Sequence, residues 1–290
     1  MSTHVSLPPE YAALVDDAAM FPPGNAPLAE AVAGYRRHRY APHAELVGPF
    51  VVSDVRLPEL AELLVAIGDD EPLPVTVVVS GGAGALEPAA RWADGSRHLE
   101  LRGLEIALRD LDDLAGAARR VVAAADLGLD VPVYVEPPVV QPPGGPGHGW
   151  LAALDEVAAA DLRLKFRTGG VTADLFPSAA DLGTAIDAAL DRELPFKCTA
   201  GLHHAVRHRA GDTGFEHHGF LNVLLAVRAT LDGDDVTAAL DERDASVVVA
   251  RLEAIGSEAL VRARRWFTSF GCCGVSDPFD DLVSLGLVAS

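Results

Sequence analysis

The sequence predicts an α/β protein built as a single (β/α)8 barrel, the TIM-barrel architecture, in which eight parallel strands form a closed ring covered by helices. Short runs rich in β-branched and aromatic residues alternate with Ala- and Leu-rich amphipathic segments, which is typical of a parallel sheet covered by helices. Eight such units can be counted in the 290 residues. An open doubly wound sheet is the alternative, but no Gly-x-Gly-x-x-Gly motif follows the first strand.

The predicted elements follow one another regularly. We predict strands within 12–21, 45–53, 75–80, 99–108, 131–136, 162–168, 195–199 and 267–270. We predict helices over 27–38, 57–67, 83–93, 110–127, 150–160, 178–191, 219–231, 235–255 and 278–287. A Pro/Gly-rich loop runs from Pro137 to Gly149. Residues 201–265 add helices between strands seven and eight, and we interpret them as an elaboration beside the active-site face, so that one domain spans 1–290.

The composition excludes two classes of partner. The formal net charge is −19 at pH 7, and such a surface repels nucleic acids and anionic membranes. The N-terminal stretch does not combine a basic start with an apolar run, and no apolar segment reaches the roughly 18 residues of a transmembrane helix. The three cysteines indicate no disulfide framework. We expect a cytoplasmic protein that acts on a small molecule, without a cofactor, as a monomer or a homo-oligomer.

Two similar stretches carry the chemistry. Residues Leu164–Gly170 and Phe196–His204 each contain a lysine followed by threonine and glycine, and Lys165 and Lys197 lie 32 positions apart. That spacing is the length of one strand, one helix and two loops, which predicts matching depths on neighbouring parallel strands. Side chains alternate along a strand. We therefore expect the apolar set to face the helices (Leu162, Leu164, Phe166, Phe196, Cys198) and the polar set to face the barrel interior (Arg163, Lys165, Arg167, Lys197, Thr199).

Interior lysines have two interpretations. A lysine among other cations in a dry pocket has its ammonium form disfavoured, and the free amine is then a nucleophile toward a carbonyl group. Lys165, beside Arg167 and Lys197, fits that description. Alternatively, both lysines pair with interior carboxylates and only close the layers of the barrel.

The lysine motifs resemble those of a known enzyme family. The segment Lys165-Phe-Arg-Thr-Gly is similar to the Lys-Thr-Ser-Thr-Gly motif on strand six of the deoxyribose-phosphate aldolases, which are class I aldolases. The segment Lys197-Cys-Thr-Ala-Gly-Leu-His is similar to their Lys-x-x-Gly-Gly-Ile-Arg motif on strand seven. The resemblance implies a lyase in which Lys165 forms a Schiff base with a carbonyl substrate and Lys197 lowers the pKa of Lys165.

Such a lyase also needs a proton shuttle and substrate contacts. Glu136 closes strand five and is the first candidate, before Glu105 and then Asp16 or Asp17, although each is equally explained as a salt-bridge partner. Tyr134 lies on the same strand face as Glu136. Substrate-binding candidates lie at or after the ends of strands six to eight, where backbone amides and cations can hold an anion: Arg167, Thr168, Gly169, Gly170, Thr199, Arg207, Ser269 and Gly271.

Histidines provide the competing signal. Five of the ten histidines lie between His203 and His218, and a metal-dependent hydrolase or lyase would draw its ligands from His203, His204, His208, His217 and His218. Because His203 and His204 directly follow strand seven, substrate contact or acid–base work is the other interpretation. Cys272 and Cys273 have three interpretations: they ligate a metal together with a histidine, they provide a reactive thiol, or they are two small residues in a tight loop. A non-catalytic ligand-binding barrel is the third functional hypothesis.

Overall fold

The computed structural model describes residues 7–68, 71–126, 128–139 and 145–289. Eight parallel strands form a closed barrel, which confirms the predicted (β/α)8 architecture. They are β1 (Val15–Asp17), β2 (Val47–Ser53), β3 (Leu73–Val79), β4 (Leu99–Ala107), β5 (Val133–Glu136), β6 (Arg163–Arg167), β7 (Phe196–Thr199) and, after a two-stranded hairpin of β8 (His208–Arg209) and β9 (Glu216–His217), β10 (Phe267–Cys272). Residues 140–144 of the predicted Pro/Gly-rich loop lie outside the described residues.

Each strand of the barrel is followed by at least one helix. The helices are α1 (Leu28–His38), α2 (Leu57–Ile67), α3 (Leu86–Asp94), α4 (Leu114–Ala125), α5 (His148–Ala159), α6 (Ala179–Leu190), α7 (Phe220–Asp232), α8 (Val236–Asp241), α9 (Ala245–Ile255), α10 (Ser257–Ala263) and α11 (Ser276–Ser284). Across the described ranges, none of them is both long and apolar enough to cross a membrane.

The main core lies between the barrel wall and the helices. Phe166, Phe196 and Phe267 point outward from three neighbouring strands. The ring centroids of Phe166 and Phe196 lie 5.1 Å apart, and those of Phe196 and Phe267 lie 5.6 Å apart. All three side chains are fully buried. Because neighbouring residues on a strand face opposite sides, this apolar layer directs the intervening side chains of the same strands into the barrel.

The elaboration between β7 and β10 has two parts. Helix α7 packs against β10 and α6, and the ring of Phe220 stacks on Phe270 with centroids 5.2 Å apart. It therefore belongs to the outer helical layer. The β8–β9 hairpin and helices α8 to α10 are additions to the barrel. Asn222 joins them, because its side chain accepts a hydrogen bond from the Arg207 amide and donates to the carbonyls of Ala239 and Glu242.

Two predicted elements differ from the observed ones by more than a shift of a few residues at their ends. The helix expected over 235–255 is divided into α8 and α9, because Glu242 has extended backbone and the Asp244 side chain caps a new helix by accepting from the Ser246 amide. The first strand has three residues instead of ten, since its continuation turns at residues 18–24 over the end of the barrel.

Candidate active site at the C-terminal end of the barrel

The two lysines face the barrel interior side by side. Strands β6 and β7 pair in parallel, and their register aligns Lys165 with Lys197. Their exposed fractions are 4% and 2%. Leu164, Phe166 and Cys198 on the alternate positions are buried on the helix side. The alternation read from the sequence therefore describes both strands correctly.

Six charged side chains alternate in sign across the interior. We call them the charge chain: Asp16, Lys197, Glu105, Lys165, Glu136 and Arg167. Lys197 Nζ contacts Asp16 Oδ2 and lies 2.5 Å from Glu105 Oε1. Lys165 Nζ lies 2.6 Å from Glu105 Oε2 and 3.0 Å from Glu136 Oε2, and Arg167 Nε lies 2.9 Å from Glu136 Oε1. Glu105 thus bridges both lysines.

The charge chain determines how its members ionise. Burial by itself lowers the pKa of Lys165, but Glu105 and Glu136 outweigh this effect and raise the pKa above its ordinary value. The pKa of Lys197 is raised in the same way by Asp16 and Glu105. Burial acts to raise the pKa of Glu105, but the two lysines hold it at about 2.

Lys165 is therefore not surrounded only by cations, in contrast to the first interpretation from the sequence. The residues responsible are Glu136 on the neighbouring strand β5 and Glu105 on β4, one strand further along the wall. At rest Lys165 is an ammonium ion held by two carboxylates. It becomes a nucleophile only when one of these carboxylates, or a bound substrate, takes its proton.

The two lysines line cavities at opposite ends of the barrel. A cavity of about 300 Å³ lies at the C-terminal ends of the strands, and the charged side chains along it include Glu105, Glu136, Lys165, Arg167 and Arg109. We call it the C-terminal cavity. A second cavity at the strand N-termini, which we call the N-terminal cavity, is lined by Lys197, Asp16, Tyr134, Arg163 and Ser269 among others. Active sites of (β/α)8 enzymes lie at the C-terminal face, so Lys165 lies on the side where an enzyme of this fold would have its active site.

Apolar and thiol groups complete the C-terminal cavity. Val51, Val78 and Val79 form part of its wall, and His203 and Cys273 line it from the loop after β7 and from the end of β10. His203 Nε2 lies 3.6 Å from Cys273 Sγ, and His203 Nδ1 lies 3.3 Å from Asp277 Oδ2. Burial raises the pKa of Cys273, so the resting group is the neutral thiol.

Four of the predicted substrate-binding residues line the C-terminal cavity: Arg167, Gly170, Thr199 and Gly271. Thr168 and Gly169 are used for packing instead. Thr168 Oγ1 donates to the carbonyls of Thr199 and Ala200 at 3.2 and 2.5 Å. A Cβ on Gly169 would lie 2.8 Å from the Gly201 Cα, so glycine at this position allows the ends of β6 and β7 to approach closely.

The remaining predicted site residues lie elsewhere. Arg207 is buried between His218 and Asp241. Ser269 donates to Asp16 at 2.9 Å on the side of the N-terminal cavity. The His204 side chain is 49% exposed and lies beside Asp281. Tyr134 lies near the N-terminal end, away from Glu136, where its hydroxyl accepts from Arg163 at 3.0 Å.

The clustered histidines separate in space into different contacts. His208 lies between the rings of His204 and His217, with centroids 4.8 and 5.2 Å away. His218 is fully buried, where burial and Arg207 lower its pKa to about 4 and its Nε2 donates to the Pro177 carbonyl. Over the described ranges, no group of three or more His, Cys, Asp or Glu side chains is arranged to hold a metal ion. The hypothesis of a metal-dependent hydrolase or lyase therefore has no ligand set among the described residues.

One functional candidate was not selected from the sequence. Arg109 lies two residues after the end of β4, and the rule that barrel enzymes use residues at strand C-termini would have selected it. Cys273, directly after β10, was considered from the sequence only as one of three alternatives. A stronger signal is compositional: Lys165 and Lys197 are the only two lysines among the 23 basic residues. All the other residues in this count are arginines. The two side chains that can lose a proton, those of the lysines, both lie in the barrel interior.

Comparisons with known proteins assign no family to this chain. No protein-family model matches the sequence, and no curated protein matches it at a significant level. The aldolase-like motifs of β6 and β7 therefore remain a local resemblance. The fold and the geometry of the site carry the functional interpretation.

Proposed function

We propose that this protein is a lysine-dependent, class I aldolase-like lyase in which Lys165 forms a Schiff base with a small carbonyl substrate. The observation that carries the proposal is the position of Lys165 Nζ, which contacts Glu105 and Glu136 and lines a cavity at the catalytic end of a (β/α)8 barrel. The use of lysine at this position, in a chain that otherwise uses arginine, supports a role that needs the neutral amine.

Glu136 is the proton acceptor in this proposal. As the substrate carbonyl carbon approaches Nζ, the ammonium proton moves to Glu136 Oε2 at 3.0 Å, and the amine adds to the carbonyl. Loss of water gives the protonated imine. Glu105 stays ionised between the two lysines and stabilises the positive charge that Lys165 keeps in the imine.

Cleavage then follows from the electron demand of the imine. The protonated imine accepts the electron pair of the neighbouring carbon–carbon bond, while His203 takes the proton of the β-hydroxyl group, and an aldehyde is released. Protonation and hydrolysis of the remaining enamine return the free carbonyl product and Lys165. Arg109 and Arg167 line the same cavity and suit an anionic substituent on the substrate.

Borohydride trapping tests the proposal. The protein is incubated with acetaldehyde, dihydroxyacetone or pyruvate, reduced with sodium borohydride and mapped by peptide mass spectrometry. We expect a reduced adduct on Lys165, and a trapping rate that rises toward alkaline pH because the resting ammonium has a raised pKa. Peptide mapping separates this adduct from one on Lys197 or on the N-terminal amine.

Charge-conserving variants are the controls. Lys165→Arg keeps the charge chain but forms no imine, and is expected to lose trapping. Lys197→Arg keeps the charge on the side of the N-terminal cavity, and is expected to retain trapping on Lys165. If a folded wild-type protein gives no adduct with any of these probes, the imine proposal fails. Lys165, kept as an ammonium ion by its raised pKa, would then fit a non-covalent lyase in which its charge stabilises an anionic intermediate.

A further inference from the structure

A cysteine, a histidine and a carboxylate line up at the rim of the C-terminal cavity. Cys273 Sγ lies 3.6 Å from His203 Nε2, and Asp277 Oδ2 lies 3.3 Å from Nδ1 of the same ring. When Nδ1 carries the proton and donates to Asp277, the lone pair of Nε2 faces the thiol. A nucleophile, a base and a group that orients the base are thus arranged in the order used by thiol and hydroxyl nucleophiles.

The other two cysteines are placed differently from Cys273. Cys272 is almost fully buried and its thiol donates to the Gly274 carbonyl at 3.3 Å, although its sulfur also lies 3.5 Å from His203 Nδ1. Cys198 is fully buried on the helix side of β7. Cys273 is half-buried and lines the cavity that contains Lys165. It is thus the cysteine open to a small molecule.

The loop after β1 makes room for the sulfur of Cys273. A Cβ on Gly24 would lie 2.8 Å from Cys273 Cβ and 3.3 Å from its Sγ, so glycine allows this close approach. The Gly24 amide lowers the pKa of Cys273, against the larger effect of burial. The thiol is neutral at rest and a hydrogen-bond donor is already in place for the thiolate that forms when His203 takes the proton.

We infer that Cys273 is a second covalent site of this protein, at which a small aldehyde adds reversibly to the thiol. The sulfur bonds to the aldehyde carbon, His203 takes the thiol proton and returns it to the aldehyde oxygen, and the product is a hemithioacetal. This addition needs no leaving group, oxidant or reductant. The choice of an aldehyde rests on the proposed function, because cleavage at Lys165 would release one into the cavity that Cys273 lines.

The test uses the Lys165→Arg protein, which forms no imine. Iodoacetamide alkylation of Cys273 is followed by peptide mass spectrometry in the absence and presence of acetaldehyde. We expect saturable protection of Cys273 by acetaldehyde, and a hemithioacetal carbon signal with [1-13C]acetaldehyde that is absent from the Cys273→Ser form. The residual iodoacetamide, measured by chromatography in the same reaction, reports any general loss of the reagent.

Two further variants separate base assistance from simple exposure. His203→Gln is expected to slow alkylation of Cys273 at least about tenfold, because the base is lost. His204→Gln changes the adjacent histidine, which lies outside the cavity, and is expected to leave the rate unchanged. Asp277→Asn is expected to slow alkylation as well, through the orientation of the His203 ring, and remains informative if His203→Gln does not fold.

The outcomes distinguish this inference from the proposed function. An unprotected Cys273, or equal alkylation rates in the His203→Gln and wild-type forms, would overturn the thiol site even if Lys165 is trapped by borohydride. Protection of Cys273 in the Lys165→Arg protein would support the site even if the wild-type protein gives no imine.

Discussion

Asp17 shows how burial changes the ionisation of a single carboxyl group in this barrel. It lies at the end of β1 with an exposed fraction of 1%, and its Oδ1 accepts the Ala19 amide at 3.0 Å. Burial raises the pKa of Asp17 to about 6. Burial also raises the pKa of its neighbour Asp16, although the contact with Lys197 in the charge chain acts in the opposite direction.

The raised pKa of Asp17 gives a prediction with a defined sign. The folded carboxyl group binds its proton more tightly than the unfolded one, so its contribution to stability decreases as pH rises from about 4 to about 6. Asp17→Asn keeps an acceptor for the Ala19 amide and removes the charge. We expect the variant to gain about 1 to 3 kcal/mol in unfolding free energy above pH 6, and little below pH 4.

Urea denaturation of both proteins across that pH range measures the effect. Asp94→Asn, on the exposed face of α3, reports what removal of one negative charge does to an acidic protein in general. A stabilisation by Asp17→Asn that is the same at pH 4 and pH 7 would show that the carboxyl group is not the cause.

At the scale of elements, the ends of β6 and β7 are held together by a contact between two glycines. Gly201 has φ +77°, and a Cβ on it would lie 2.8 Å from the Thr168 carbonyl oxygen. Thr168 in turn donates to the carbonyls after β7. These contacts place Thr199, Ala200 and His203 beside Lys165 and Arg167 along one cavity.

A matched pair of glycine variants separates backbone strain from this contact. Gly233, at the end of α7, has φ +76°, and a Cβ there would meet nothing within 4 Å. We expect Gly233→Ala to cost about 1 to 2 kcal/mol from the left-handed backbone alone. Gly201→Ala is expected to cost about 1 to 3 kcal/mol more, because the strand ends must also move apart.

Chemical denaturation of the two glycine variants gives the comparison. Gly201→Ala is also expected to slow borohydride trapping at Lys165, whereas Gly233→Ala is not. Equal losses of stability in the two variants would mean that the Gly201 contact contributes nothing beyond its backbone conformation.

The charge chain connects distant parts of the whole molecule, and Glu105 is its centre. It links β4 to Lys165 on β6 and to Lys197 on β7. Removing one partner from a buried ionic network leaves an uncompensated charge. We therefore expect Glu105→Gln to lower the unfolding free energy by about 3 to 5 kcal/mol. Glu100→Gln on the same strand affects only an ion pair with Arg102 that is about half exposed, and is expected to cost less than about 1 kcal/mol.

The charge chain also predicts the direction of acid sensitivity. The pKa of Glu105 is depressed to about 2, so its contribution is complete above the ordinary glutamate pKa and is lost as pH falls from about 4.5 toward 2. Thermal unfolding followed by circular dichroism at pH 7 and pH 3 measures this. The difference between wild type and Glu105→Gln should shrink at the lower pH, and a constant difference would contradict the role of ionised Glu105.

Local patterns determined the architecture of this protein. Eight alternating units predicted the barrel, and the period of two along β6 and β7 predicted which side of the wall Lys165, Lys197, Phe166 and Phe196 occupy. These features could be predicted because they depend on neighbouring residues only. Element boundaries were less accurate where capping by Asp244 divided a predicted helix.

Only the tertiary structure decided what surrounds each lysine. Lys165 and Lys197 have aligned Cα atoms, but Lys165 lines the C-terminal cavity and Lys197 lines the N-terminal one. Asp16 and Glu105, which convert an expected cluster of cations into a chain of alternating charge, come from strands far away in the sequence. Closing the barrel brings them together, because the register of all eight strands sets which interior side chains meet, and no local pattern contains that register.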